Sequence, residues 1–91
     1  MGQPLRLDGA AALVTGASGA IGSAVARELG AAGATVAAQF RDNQAAADAT
    51  VAALPPGRHF SVAADLTDPE QVRVLVDEAA RRLGRIDVLV N

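Results

Sequence analysis

The chain has 91 residues, 51% of them apolar and 20% charged, with a formal net charge of −2. That is room for one domain with a thin core and not for two. The absence of cysteine excludes disulfides, thiolate chemistry and cysteine-ligated zinc, and the near-neutral balance gives no electrostatic reason to expect nucleic acid or an anionic membrane as partner.

The N-terminal stretch MGQPLRLDGA has no apolar core of signal-peptide length, and Arg6 stands where a myristoylation signal places Ser or Thr. No run approaches the length of a membrane span, so the expectation is a soluble cytoplasmic protein. All eight basic residues are arginines and there is no tyrosine. A mechanism that needs a Tyr hydroxyl or a Lys ammonium therefore cannot be completed by these residues.

Residues 10–15 (AAALVT) form a short apolar run suited to a strand buried on both faces. From Ala20 to Ala32 the period becomes helical, with Ile21, Val25 and Leu29 on one face and Gly33 as the C-terminal stop. Residues 35–40 (TVAAQF) are a second strand. An alanine-rich helix follows over about 43–54, ended by Pro55, Pro56 and Gly57. Residues 59–64 (HFSVAA) make a third strand. Asp68 then starts a helix as its cap, with Pro69 in the first turn and Gln71 at the capping-box position. Val72, Leu75, Val76, Ala79 and Leu83 share a face of this helix before Gly84 closes it. Ile86–Val90 (IDVLV) is a fourth apolar strand. The order βαβαβαβ implies an α/β fold, a parallel sheet with right-handed crossovers and helices over its faces. A buried strand with nothing after it leaves an edge uncovered, and residues 1–91 are expected to be an incomplete part of a single larger domain.

Residues 14–22, VTGASGAIG, place glycines at 16, 19 and 22 between the first strand and the first helix. Such a turn suits a diphosphate, because backbone can come close and a helix N-terminus offers free N–H groups and a positive dipole end. The alternative is a tight turn that lets helix pack close on strand. A P-loop does not fit, because no Gly-Lys-Ser/Thr follows the glycines. A receiver-type domain is disfavoured, since no pair of acids follows the first strand.

Three landmarks in register resemble the short-chain dehydrogenase/reductase family: Thr15-Gly16-x-x-x-Ala20-x-Gly22, Asp65-Leu66 after the third strand, and the closing IDVLVN. The resemblance runs from about Leu5 to Asn91 and implies a Rossmann-like, doubly wound parallel sheet, here truncated after its fourth strand. It implies that the turn from Thr15 to Gly22 cradles a cofactor diphosphate, with Ser18 and Ile21 adding backbone or hydroxyl contacts and Gly19 lying within the turn. Asp65 would accept a hydrogen bond from the adenine amino group, with Leu66 supplying backbone beside it, and Asn91 would lie along the adenosine ribose. The alternatives for Asp65 and Asn91 are a cap of the following turn and a strand terminator. The departure from the family pattern is Ala20, where the middle glycine belongs. Gly19 is expected to relax the turn around its methyl group.

The acid that reads a ribose 2′-hydroxyl ends the second strand in NAD-binding folds. That position is Phe40 here, and Arg41 follows, placed to pair with a 2′-phosphate as a planar fork. The cofactor expectation is NADP, with NAD possible. Asp42 on a longer strand would favour NAD, as does a glycine at position 19 where NADP-binding relatives often carry a base. Arg41 as a solvated loop charge is the third alternative. His59 has no acid–nucleophile constellation near it and is assigned to packing or surface. The charges of the third helix are assigned to its wet face, and no metal-ligand spacing appears.

The resemblance implies hydride transfer between a nicotinamide and a carbonyl or alcohol, with a Tyr, Lys and Ser that lie beyond the fourth strand in family members. No catalytic residue is assigned within the chain, which on its own is expected to be inactive. The stretch QFRDN before an alanine-rich helix is similar to 3-oxoacyl-[acyl-carrier-protein] reductases. A homo-oligomeric parent acting on a small-molecule substrate is the expectation. The reading from a different class is a non-catalytic nucleotide-binding or interaction fragment, and a gene remnant that does not fold is a third.

Overall fold

Small and apolar residues occupy the positions that a parallel sheet buries on both faces. The computed structural model describes residues 6–91; residues 1–5, with Leu5 where the family resemblance begins, lie outside the described residues. β1 (Ala11–Val14) is buried at every position and lies between β2 (Thr35–Phe40) and β4 (Val88–Val90), while β3 (Phe60–Ala63) pairs with β2. The sheet order is β3-β2-β1-β4 and every pairing is parallel. Val14 lies opposite both Ala38 and Val90, and Phe40 opposite Ala63, so the four strands end at one edge.

The crossovers are α1 (Ala20–Ala31), α2 (Gln44–Ala52) and α3 (Pro69–Leu83). Alternate strand residues serve opposite layers, as the period of two requires. Leu13 and Ala37 join Phe60, Leu75 and Ala79 in the core beneath α3. Val14, Val36 and Ala38 join Ala26 and Leu54 in the core beneath α1 and α2. This is the doubly wound arrangement expected from the element order. Much of the interior is alanine: positions 11, 12, 26, 37, 38, 47 and 79 are all buried.

The expected apolar face of α1 is displaced. Its buried residues are Ala26 and Gly30; Val25 and Leu29 are half-buried, and Ile21 is 83% exposed. The cause is close approach. A Cβ on Gly30 would stand 2.8 Å from Leu54 Cδ2, so α1 lies on its smallest residues and its larger ones are turned to the margin. In α3 Leu75 and Ala79 are buried and Leu83 half-buried as expected, whereas Val76 is exposed.

Helix ends follow their chemistry. After α1, Gly33 at φ +107 donates to Gly30 C=O and Ala34 to Leu29 C=O, the paired bonds of a Schellman stop. Asn43 Oδ1 accepts from Ala46 N–H at the start of α2, and Asp68 Oδ1 accepts from Glu70 N–H at the start of α3. The capping box expected at α3 is only half made. Gln71 Oε1 accepts from Asp65 N–H at 2.8 Å, because the N–H of Asp68 already donates to Asp65 C=O. His59 is structural: Nδ1 accepts from Val36 N–H at 3.0 Å and Nε2–H donates to Pro55 C=O at 2.9 Å. The ion pairs of α3, such as Arg73 with Asp77 at 3.6 Å, are exposed and contribute little. Among the described residues no helix is long and apolar enough to cross a membrane.

Ile86 and Asp87, expected within the fourth strand, precede β4. The Asp87 side chain replaces a ladder carbonyl: Oδ2 accepts from Ala11 N–H at 2.8 Å, and Asp87 N–H donates to Ala11 C=O at 2.8 Å. Arg85 Nε also donates to Oδ2, at 2.8 Å. The Arg85 hydrogen bond, followed by that of Ala11, holds the Asp87 carboxyl below the usual carboxylate range. A depressed folded pKa contributes stability above the unfolded value of about 3.9 and loses it as pH falls below that. Asp87→Asn should therefore lower the melting temperature at pH 7, and the difference from the parent chain should shrink below about pH 4. Thermal melts across pH 3–7 check this, and a constant difference would exclude the carboxylate clamp.

Candidate cofactor-binding site

At the C-terminal edge of the sheet, residues 15–19 turn the chain from β1 into α1. Thr15 N–H donates to Val90 C=O at 2.9 Å, and its hydroxyl donates to the same carbonyl at 3.1 Å with Asn91 Oδ1 3.4 Å away. Gly16 has φ +63, a left-handed conformation that favours glycine. Gly22 is required by space, because a Cβ there would lie 2.1 Å from Gly16 O. Gly19 is different: at φ −86 and ψ 169 it is ordinary extended backbone. It does not relax the turn as expected from the sequence, and Ala20 needs no relief, since it is the exposed first residue of α1.

The start of α1 differs from the other two helices. It alone has no side-chain cap, and like α2 it has no acid in its first turn. The amides of Ala20, Ile21 and Gly22 are left without a protein acceptor among the described residues, with the positive end of the helix dipole behind them. That is a place for an anion.

Beside the turn is an open cleft of about 310 Å³. It is lined by Thr15, Gly16 and Ser18 from the turn, by Gln39 and Arg41 from β2 and its exit, and by Asp65, Leu66 and Thr67 after β3. β2 ends at Phe40, so Arg41 is the first residue beyond it; Asp42 is 89% exposed and outside the lining. Arg41 Nη2 lies 3.8 Å from Asp65 Oδ2, and Arg41 Nε lies 3.8 Å from Asp42 Oδ2. Asp65 Oδ1 accepts from the Thr67 hydroxyl at 2.7 Å and from Thr67 N–H at 2.9 Å. Those two bonds, the hydroxyl first, hold the Asp65 carboxyl below its usual range. The carboxylate therefore caps the turn that follows it through one oxygen and leaves Oδ2 facing the cleft side of Arg41.

The cleft brings together Thr15, Gly16, Ser18, Arg41, Asp65 and Leu66 of the residues singled out from sequence. Asn91 borders an adjoining apolar cleft that shares Thr15 and Leu66. Gly19, Ala20, Ile21 and Gly22 line neither; they belong to the start of α1. Sequence reasoning missed Gln39, whose side-chain Oε1 accepts from Gly16 N–H at 2.8 Å, and Thr67. The available signal for Gln39 was a lone amide in the buried strand TVAAQF.

A sequence profile for short chain dehydrogenases matches residues 10–91. The chain belongs to the short-chain dehydrogenase family. It is 43% identical over 88 residues to an uncharacterized oxidoreductase of Methylorubrum extorquens, and 39% identical over 87 residues to the meso-2,3-butanediol dehydrogenase of Serratia marcescens. These alignments cover 94% and 96% of the chain but 36% and 34% of the relatives. The chain thus spans about a third of the length of the curated relatives it matches. Among solved structures, a short chain dehydrogenase from Burkholderia cenocepacia in complex with NADP superposes with a TM-score of 0.90 at 43% identity, over 94% of this chain and 36% of that one.

The two glycine geometries make a paired prediction for this member of the family. Gly22→Ala must displace the Gly16 carbonyl and should destabilise by about 1–3 kcal/mol or more. Gly19→Ala meets Gly16 O at an ordinary 3.5 Å and should change stability by less than about 1 kcal/mol. Urea denaturation of both variants checks the order, which similar losses would contradict.

Proposed function

We propose that this chain is the adenosine- and diphosphate-binding part of an NADP-dependent short-chain dehydrogenase. The observation that carries the reading is the uncapped start of α1 beside a left-handed glycine turn, opening on a cleft that also holds Arg41 and Asp65. Backbone amides of Ala20, Ile21 and Gly22 bind the diphosphate, with Thr15, Gly16, Ser18 and Gly19 shaping the turn. Arg41 pairs with the 2′-phosphate as a planar fork. Asp65 Oδ2 accepts from the adenine amino group, Leu66 supplies backbone beside it, and Asn91 lies along the ribose. The NADP complex of the Burkholderia relative supports the choice of cofactor, as does β2 ending at Phe40 with no acid on its last residue.

The nicotinamide, when bound, accepts or donates a hydride. The residues of this chain bind and orient. With neither Tyr nor Lys in the sequence, they supply no Tyr-centred proton transfer, and the isolated chain is inactive. The substrate class of the whole protein is a small carbonyl or alcohol, in keeping with the butanediol dehydrogenase among its relatives.

Titration with NADPH and NADH, followed by nicotinamide fluorescence or calorimetry, tests the reading. Arg41→Ala should weaken NADPH by about tenfold or more, the equivalent of about 1.4 kcal/mol, and NADH by less than about twofold. Equal losses would remove Arg41 as the discriminating residue. Ala20→Gly should bind as well as the parent chain or better, because Ala20 is exposed at the helix start; marked weakening would mean that the turn meets the diphosphate differently.

A further inference from the structure

Only two polar side chains are buried among the described residues, Gln39 and Thr50, each 2% exposed. Both are spent on the same stretch of backbone. Thr50, in α2, has its hydroxyl 2.9 Å from Ala17 O and 3.1 Å from Ser23 Oγ. Gln39, in β2, reaches two segments at once: Oε1 accepts from Gly16 N–H at 2.8 Å and Nε2 donates to Ala64 C=O at 2.7 Å. The backbone carbonyl of Gln39 also accepts from Ala17 N–H at 2.9 Å. Gly16 N–H can only donate and Ala64 C=O can only accept, so chemistry fixes the orientation of the carboxamide.

Burying an amide on a sheet is unfavourable unless its donors and acceptors are matched. Here the match joins two places that are far apart in sequence. Gly16 belongs to the turn assigned to the diphosphate. Ala64 immediately precedes Asp65 and Leu66, assigned to the adenine. A shorter Asn lacks the methylene needed to span both, an apolar isostere leaves both backbone groups unpaired, and a carboxylate keeps the acceptor but loses the donor.

We propose that Gln39 is the positioning residue of the cofactor site, holding the turn at Gly16 and the strand end at Ala64 in one fixed relation, so that the diphosphate and adenine contacts are set together. This rests on the cofactor assignment above. Gln39 itself need not touch the ligand. It acts by pre-organising backbone that does, which reduces what must be ordered on binding.

The test uses the whole chain and two variants, with amide exchange by NMR and NADPH titration well below the melting temperature. In the parent chain without ligand, the Gly16 amide should be protected from exchange. Gln39→Met, isosteric and apolar, should accelerate Gly16 exchange by about tenfold or more relative to β1 amides and weaken NADPH by a similar factor. The NADPH/NADH preference should be unchanged, since Arg41 is intact. Gln39→Glu should bind weakly at pH 8 and regain affinity relative to the parent chain as pH falls and the carboxyl gains a proton to donate to Ala64. A general loss of stability would not produce that profile. An unprotected Gly16 amide in the parent chain, or Met and Glu variants that keep parental exchange and affinity, overturns the proposal. If Gln39→Met fails to fold, the parent amide and the pH profile of Gln39→Glu decide it. A parent chain that does not bind NADPH while its Gly16 amide stays protected overturns the cofactor assignment alone.

Discussion

The conformation of five residues between the first strand and the first helix constrains most of what surrounds them. Gly16 adopts a left-handed backbone, and its carbonyl leaves no room for a side chain on Gly22. Glycine at both places permits the geometry but does not hold it, since glycine is the residue with the most conformational freedom to lose. The restraint comes from outside the turn. Val90 takes the Thr15 amide, the Gln39 side chain and carbonyl take the amides of Gly16 and Ala17, and Thr50 approaches the Ala17 carbonyl. Every one of these partners comes from a different element than the turn itself. The local shape is thus a product of the assembled sheet and of α2.

With the amides of Thr15, Gly16, Ala17 and Gly19 used internally, the unpaired backbone donors lie mainly at the start of α1. Division of labour follows from this. The turn amides that face the protein fix the geometry, and the helix amides that face outward remain unpaired. Arg41 and Asp65 stand at the ends of β2 and β3 because the register aligns those ends. The charged groups of the cleft are brought together by strand pairing, and their mutual ion pair at 3.8 Å is a consequence of it.

The element order and the doubly wound sheet were legible in the sequence because each strand is a short, mainly apolar run and each helix has recognisable boundaries, such as Gly33 and the Asp68–Pro69 start. β2 and α3 were placed to the residue. The face of α1 was not, because hydrophobic periodicity weighs Ile21, Val25 and Leu29 by size, whereas the packing selected Ala26 and Gly30 for closeness. Of the site residues with side-chain chemistry, Thr15, Ser18, Arg41 and Asp65 line one cleft, while Asn91 borders the adjoining one. Gln39 escaped notice because a single amide inside an apolar strand has no periodic signature; its meaning depends on Gly16 and Ala64, which only the fold brings near. The Gln71 contact to Asp65 escaped for the same reason, since the capping box supplied a nearer partner on paper.

The preponderance of alanine beneath the helices has a thermodynamic side. Alanine has no rotamers to freeze, so ordering it removes backbone freedom alone, while larger aliphatic residues add the immobilisation of their torsions. Each methyl returns little through dehydration, yet the net for a small body is less unfavourable than its modest interior would imply. Such an interior also has few ways to rearrange. Where the layers meet through single methyl groups, as at Ala26 and Ala79, they cannot slide or swell without opening a void or a collision.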